Sequence, residues 1–423
     1  MNESSAVPSY SPPALKSSIQ AELICFSHLR WDFVWQRPQH LLSRAARLYR
    51  VLYIEEPVFV PHEVLGDDGF SGDKNLAGHF KISERPGGIT IAVPVLAEGG
   101  SAEANNASLR SLLRQLVPEP RPCSRILWYY TPAAIEFTMD LTADVVVYDN
   151  MDELSAFLGA SSRLVEQERA LFERADVVFT GGMSLYASKS KRHPNVHAFP
   201  SSIDALHFLR ARNPLALPGP QDQADIPAPR IGFFGVIDER LNQRLIADLA
   251  DRCPDWQFIM IGPVVKIDPA GLPIRPNLHW LGSKPYAELP TYLAGWDAGF
   301  MPFALNDATR FISPTKTLEF LAGGIPVVST PITDVVSPYK ERGLVEIADT
   351  ASAFADRLSD ILKRRADKDA FNLWLAEVDH YLSTTSWDKS WDSMRTLLEG
   401  TIKSGEEERR QHPLEHFAEP SHV

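Results

Sequence analysis

Lys316 and Glu319 stand three residues apart in the segment Ser313-Pro-Thr-Lys-Thr-Leu-Glu-Phe-Leu-Ala-Gly-Gly-Ile-Pro-Val-Val-Ser-Thr330. On a helix that spacing puts both side chains on one face, just inside its N-terminus. The first N–H groups of a helix are unpaired and its dipole is positive there, so this end attracts an anion. A lysine adds a charge suited to phosphate, and a glutamate one turn on can accept two hydrogen bonds from a diol. Phosphate and diol together outline a nucleotide. The competing reading is an amphipathic helix whose Lys and Glu form a solvated pair.

Other stretches carry polar groups at the ends of apolar runs. In Arg230-Ile-Gly-Phe-Phe-Gly-Val-Ile-Asp-Glu-Arg240 a buried strand ends at Gly235 before a helix from about Leu241, which lets backbone approach a phosphate. Arg240 is then either a phosphate clamp or a surface arginine. Gly262 ends the next strand, and the turn at Gly282 and Ser283 offers backbone groups to a base edge. Phe26–His40 follows a strand directly and crowds His28, Arg30, Trp31, Asp32, Trp35, Arg37 and His40 into a loop and helix start. That mixture suits a site better than a core or a plain surface, with His40 structural inside the helix. Tyr148-Asp-Asn-Met-Asp-Glu153 places Asp149, Asp152 and Glu153 after another strand. They either orient hydroxyl groups or supply a general base, or else Asp149 and Asp152 cap a helix. No nucleophile elbow, Walker lysine loop or zinc signature is present.

These segments need a scaffold, and the pattern of apolar runs supplies one. The first half offers strands at Leu23–Phe26, Val51–Ile54, Ile89–Val93, Ile126–Tyr130, Val145–Tyr148, Val177–Thr180 and Val196–Phe199, with helices such as Gln36–Tyr49 and Ser161–Arg174 between some of them. After a Pro-, Asp- and Gln-rich stretch, Asn213–Pro229, read as a hinge linker, the alternation restarts. Its strands are Ile231–Phe234, Phe258–Ile261, Leu278–Leu281, Gly299–Pro302, Pro326–Ser329 and Leu344–Ile347. Such alternation predicts an α/β chain with two Rossmann-like, doubly wound domains, 21–212 and 230–385, facing a central cleft at the carboxyl ends of both sheets. Ser386-Trp-Asp-Lys-Ser-Trp391 opens a last helix to about 402, with Trp387 and Trp391 on one apolar stripe. Residues 1–20 and 403–423 are expected to be disordered.

A chain of 423 residues is too long for one core, which agrees with two domains. Its net charge of −12 excludes a nucleic-acid backbone as the main partner but leaves room for one basic pocket. The three cysteines, Cys25, Cys123 and Cys253, lie too far apart in sequence for a C-x-x-C pair and fit a reducing compartment. Residues 1–20 lack the pattern of a signal peptide, and no apolar run reaches the ~20 residues of a membrane span. A cytoplasmic location is expected, with peripheral membrane contact left open.

The segments above resemble the GT-B glycosyltransferases of family 4, also called group 1. Ser313–Thr330 is similar to the family's E-G-F-G-x-x-x-x-E-A-x-A-x-G-x-P-V-V helix. Phe199-Pro-Ser-Ser-Ile-Asp-Ala-Leu-His-Phe208 resembles its P-N-G-V-D-x-x-x-F crossover. Asn277–Gly282 with the Tyr286 helix, and Ala298–Pro302, resemble the segment between. W-Q-R-P-Q-H-L and Y-D-N-M-D-E-L point to a bacterial cell-surface polysaccharide subgroup. The resemblance covers about 20–400 and is strongest after 195.

The resemblance implies transfer of a sugar, with retention, from a nucleoside diphosphate-sugar of the UDP or GDP type to a glycan or lipid-linked acceptor. It implies no cofactor and no obligatory metal. Glu319 would hold the ribose. Lys316, with Ser313, Pro314 and Thr315 adjoining, would sit at the diphosphate, beside Gly235 and Gly262; Gly282 and Ser283 would meet the base. Lys316 and Arg240 would serve the leaving group, with Asp149 as a further catalytic candidate. His28, Arg30, Trp31, Arg37 and Asp152 would line the acceptor side. Two positions depart from the family. Phe311 replaces the first Glu of the E-x7-E pair, with Asn306, Asp307 or Arg310 as stand-ins, and Val236 replaces the Arg of G-R-L-x-x-x-K-G. The alternatives are a nucleotide-sugar-binding protein that has lost transfer, and a nucleotide-sugar epimerase of the same architecture.

Overall fold

The computed structural model describes residues 21–65, 78–117, 119–120 and 123–411. The N-terminal segment 1–20, and residues 412–423 of the tail, lie outside the described residues. Part of the expected tail is ordered, because the last helix runs Trp387–Gln411 and so passes its expected end at 402.

The first sheet is built from β1 (Ala21–Ser27), β2 (Tyr49–Glu55), β3 (Val58–Val60), β4 (Gly78–Arg85), β5 (Ile89–Ala97), β6 (Ser124–Tyr129), β7 (Val145–Asn150), β8 (Val177–Thr180) and β9 (Val196–Ala198). Their order is β3-β5-β2-β1-β6-β7-β8-β9, with β4 paired to β5. The central strands are parallel and buried on both faces, as β1 is at every residue, so their apolar runs are continuous. Two cores cover the two faces. One joins Leu41 and Leu42 of the helix Arg37–Ala45 to Trp128, and the other joins Leu127 and Tyr148 to Leu171 and Phe172 of the helix Leu164–Arg174.

The sequence reading missed β3 and β4. β3 is short and largely exposed, while β4 is mostly half-buried or exposed in an antiparallel pairing with β5. Neither has the continuous apolar run by which the central strands are recognised.

The second sheet comprises β10 (Arg230–Phe234), β11 (Gln257–Ile261), β12 (Leu278–Trp280), β13 (Ala298–Met301), β14 (Val327–Ser329) and β15 (Glu346–Ile347), in the order β12-β11-β10-β13-β14-β15, all pairs parallel. The strand order reverses at β10, and in open α/β sheets that switch point is where ligands bind.

Two features set the boundary between the domains. Ile203 and Phe208 already belong to the second core, so the crossover is complete soon after β9. The expected hinge linker is instead a strap fixed to the second domain. Gln223 is 1% exposed, donates to the Tyr292 carbonyl at 3.2 Å and accepts from Trp296 Nε1 at 2.7 Å, and Ile226 is buried nearby. Polar composition concealed this, because one glutamine and one isoleucine suffice to anchor the segment. The final helix crosses back as expected. Trp387, Trp391, Met394 and Leu398 are buried in the first domain's core, where Trp391 meets Tyr49 at 5.9 Å. Large aromatic areas removed from water make this a strong attachment.

Candidate active site

Backbone shape comes first. Gly235 follows β10 with φ +133°, and a Cβ there would lie 1.9 Å from Lys316 Cε and 2.5 Å from its Nζ. The lysine chain therefore lies directly across a glycine that only glycine can be. Gly262 follows β11 with φ +148°, and its Cβ would meet the Gly235 carbonyl oxygen at 1.8 Å. The Gly262 N–H donates to the Gly282 carbonyl at 2.9 Å, so the turns after β10, β11 and β12 lie side by side.

Across from them runs the helix Thr315–Ala322, which ends at Gly323 and Gly324 as the sequence predicts. Lys316 is in its first turn, with Nζ 5.8 Å from the Phe233 ring and no ion pair among the described residues. Glu319 is 7% exposed, and its carboxylate makes no hydrogen bond among the described residues. Burial raises the Glu319 pKa to about 7, against the pull of Lys316, and burial lowers that of Lys316. Two charged groups thus face the cleft with no side-chain hydrogen bonds among the described residues, an arrangement that a ligand can complete.

Both groups open into a cavity of about 570 Å3 between the domains. The second domain contributes Gly235, Gly262, Ser283, Thr315, Lys316 and Glu319, and the first closes it with the segment Trp31–Gln36. A second cavity of about 660 Å3 adjoins it, sharing Phe33, Gln36, Val236 and Arg240 and adding His28, Arg30, Asp152 and Lys266. Volumes of this size fit small-molecule sites. Arg240 stands where the cavities meet. Asp238 holds it at 2.7–3.0 Å, and its guanidinium lies 5.5 Å from the Phe157 ring centre. Lys266 Nζ lies over the same ring at 4.9 Å. A chain of net charge −12 thus keeps five cations, Arg30, Arg240, Lys266, Lys284 and Lys316, around one cleft. Burial raises the Asp152 pKa to about 6, opposed by Arg240 and reinforced by Asp238.

Several expected site residues are placed otherwise. Asp149 is fully buried and pairs with Arg37 at 2.8 Å, while Arg37 also donates to the Phe199 carbonyl at 2.6 Å. Neither lines either cavity, so Asp149 is not positioned as a catalytic group and Arg37 is not on the acceptor side. This buried ion pair tethers the first helix, β7 and the crossover. Glu153 likewise turns to Lys189 at 2.7 Å. The Ser313 carbonyl accepts from Ser201 Oγ at 2.6 Å, which makes it an interdomain contact, and Pro314 is the helix N-cap; neither lines the cavity, and neither does Gly282. Phe311 lies under Arg310, its ring centre 5.1 Å from the guanidinium, and Asn306 caps the turn Asp307–Thr309. None of these four residues lines either of the two cleft cavities, so none stands in for the missing glutamate there.

Of the remaining first-domain candidates, Trp31 reaches the first cavity, with its backbone N–H donating to Glu55 Oε1 at 2.8 Å. Arg30, held by Glu55 at 2.9 Å, and His28, whose pKa burial lowers to about 4, reach the second. Sequence reading passed over Lys266 and Gln36. Lys266 has φ +61° in an irregular loop, with no periodic pattern or motif to mark it. Among the described residues no group of three His, Cys, Asp or Glu could hold a metal ion, and no helix is long and apolar enough to cross a membrane.

Residues 228–364 match the family model "Glycosyl transferases group 1". A putative teichuronic acid biosynthesis glycosyltransferase, TuaH of Bacillus subtilis (strain 168), is 27% identical over 239 residues, covering 52% of this chain and 59% of the relative. The match thus spans little more than half of that curated relative. Among solved structures, a trehalose-6-phosphate protein from E. coli bound with UDP-2-fluoro glucose superposes with TM-score 0.62 at 13% identity, over 89% of this chain and 98% of the other. HepE from Anabaena, in complex with UDP and glucose, gives 0.60 at 13%, over 89% and 99%. Sucrose-phosphate synthase from Thermosynechococcus elongatus gives 0.61 at 14%, over 91% and 100%. The fold is GT-B, and the second domain is of the group 1 glycosyl transferase type.

Proposed function

We propose that this chain is a glycosyltransferase that moves a sugar, with retention, from a nucleoside diphosphate-sugar to an acceptor hydroxyl in cell-surface polysaccharide or glycolipid synthesis. The observation that carries this is the pairing of Lys316, laid across Gly235, with a buried, unsatisfied Glu319 in one interdomain cavity. Glu319 accepts the ribose diol, Lys316 and the first N–H groups of its helix meet the diphosphate, and the turns at Gly262 and Ser283 receive the base. Transfer breaks the bond between the anomeric carbon and the diphosphate and forms one to the acceptor oxygen. The charge that develops on the diphosphate is met by fixed cations, Lys316 foremost, with Arg240 shared between the leaving group and Asp238.

The acceptor enters from the second cavity, which Asp152 lines within electrostatic reach of Arg240 and Lys316. It orients the acceptor hydroxyl and takes its proton. A soluble glycan or the head of a lipid-linked glycan presents such a hydroxyl, and peripheral membrane contact belongs to the lipid-linked case. The relative's teichuronic acid assignment supports the polysaccharide setting, and three free cysteines support a cytoplasmic one. The test is a panel of UDP- and GDP-sugars in thermal shift, followed by turnover with glycan acceptors. One donor that raises the midpoint and is consumed only with acceptor is expected. Donor sugar interconverted without acceptor would replace this reading with an epimerase.

A further inference from the structure

Trp35 is 42% exposed and belongs to neither core of its own domain, although eight other tryptophans share the chain. It lines the donor-side cavity together with Ser283, Lys316 and Glu319 of the opposite domain. Its ring lies against Tyr286 of the second domain, with centroids 6.1 Å apart and planes 28° apart. Tyr286 lies flat on His207 at 4.3 Å, and its carbonyl is within 2.9 Å of His207 Nε2. On the other side Trp35 Nε1 donates to His40 Nδ1 at 3.3 Å, and His40 lies flat on Trp387 at 4.8 Å. An aromatic column therefore runs from the crossing-back helix through His40 and Trp35 to Tyr286 and His207, joining both domains at the edge of the donor cavity. Accepting that hydrogen bond requires a neutral His40, which its burial favours.

We propose that Trp35 is a positioning residue of the transfer reaction: by resting on Tyr286 it closes the donor cavity from the acceptor domain and keeps the two domains in register while the sugar moves. This rests on the glycosyltransferase reading above. An exposed aromatic contributes little to the fold, but at this place it shields a charged donor from water and ties the acceptor domain to the turn Tyr286–Glu288 of the donor domain. Without the contact, the cleft opens more readily with donor bound, water reaches the anomeric carbon, and the acceptor hydroxyl is less often aligned.

The test compares wild type with Trp35→Ala and Trp35→Phe as full chains, using UDP and GDP for binding and the donor identified by the panel for turnover. Trp35→Phe keeps a ring on Tyr286, so it should retain most of the rate. Trp35→Ala should lower kcat about tenfold, the loss expected for one aromatic pair. It should also raise the share of donor hydrolysed rather than transferred, with a smaller change in nucleotide Kd. Unchanged kcat and hydrolysis share in a folded Trp35→Ala protein would overturn the proposal, as would rates equally low in the Phe and Ala variants. Failure of wild type to bind any nucleotide would instead refute the glycosyltransferase reading itself.

Discussion

Glu319→Gln should make the protein more stable and less able to bind nucleotide, and both effects follow from one side chain. The carboxyl is buried without a hydrogen-bond partner, and its pKa rises from the ordinary 4.5 to about 7 even with Lys316 nearby. At ~1.36 kcal/mol per pH unit, keeping it ionised at pH 8 costs the folded state on the order of 3 kcal/mol. The sign is that of an acid with a raised folded pKa. Folding favours the protonated form, so the penalty is absent below pH 4.5, grows as pH rises, and is complete above about 7. An amide carries no charge but still buries a polar group, so a net gain of about 1–2 kcal/mol at pH 8 is expected. Nucleotide affinity should move the other way, falling by about 1–3 kcal/mol, roughly 5- to 150-fold, as a charged acceptor of two hydrogen bonds is lost. Scanning calorimetry at pH 5 and pH 8, with titration of UDP and GDP, reads both. The variant should gain on wild type only at the higher pH. A destabilised variant, or one with unchanged nucleotide affinity, would refute the reasoning.

Other perturbations give separate readouts. Lys316→Ala should lower kcat by at least about 100-fold through lost stabilisation of the leaving diphosphate, and full turnover in steady-state assays would remove it from the mechanism. Gly235→Ala adds ~1–3 kcal/mol of backbone strain and drives a methyl into the Lys316 side chain, so nucleotide Kd should rise at least about tenfold. Gly343→Ala also has positive φ but meets open space, and should leave Kd unchanged in the same titration. With an Asp152 pKa of about 6, transfer should fall as pH drops through 6, where the carboxylate takes up its proton. Asp152→Asn should lose about 100-fold in rate and lose that acidic limb, and a limb kept by the variant would assign it to another group.

The architecture was legible because parallel strands buried on both faces read as continuous apolar runs, and all thirteen expected strand segments correspond to observed strands. β3 and β4 were not, since an edge strand facing water carries a mixed pattern. The second-domain half of the site was legible as well. Its residues sit on local signals, namely a glycine at a strand end and a Lys and Glu on one helical turn, and their spacing carries into the fold. The first-domain half was less so, because its charged residues differ only in their partners. Asp149 and Asp152 are three apart in sequence, yet one is locked to Arg37 and the other faces the cleft. Nothing in the sequence announces a bond between Arg37 and Asp149 across 112 positions. The same holds for the strap around Gln223, whose anchoring partners lie in a distant helix and loop.

The central claim is that the cavity around Lys316 and Glu319 transfers a sugar rather than only holding a nucleotide. The most direct measurement follows the full chain with its donor and an acceptor by proton NMR, watching the anomeric signals and the nucleoside diphosphate together. The account predicts one new glycosidic linkage, with the donor's anomeric configuration, for each diphosphate released. Diphosphate release without a new linkage, a linkage of inverted configuration, or tight binding with no change in the donor would contradict it.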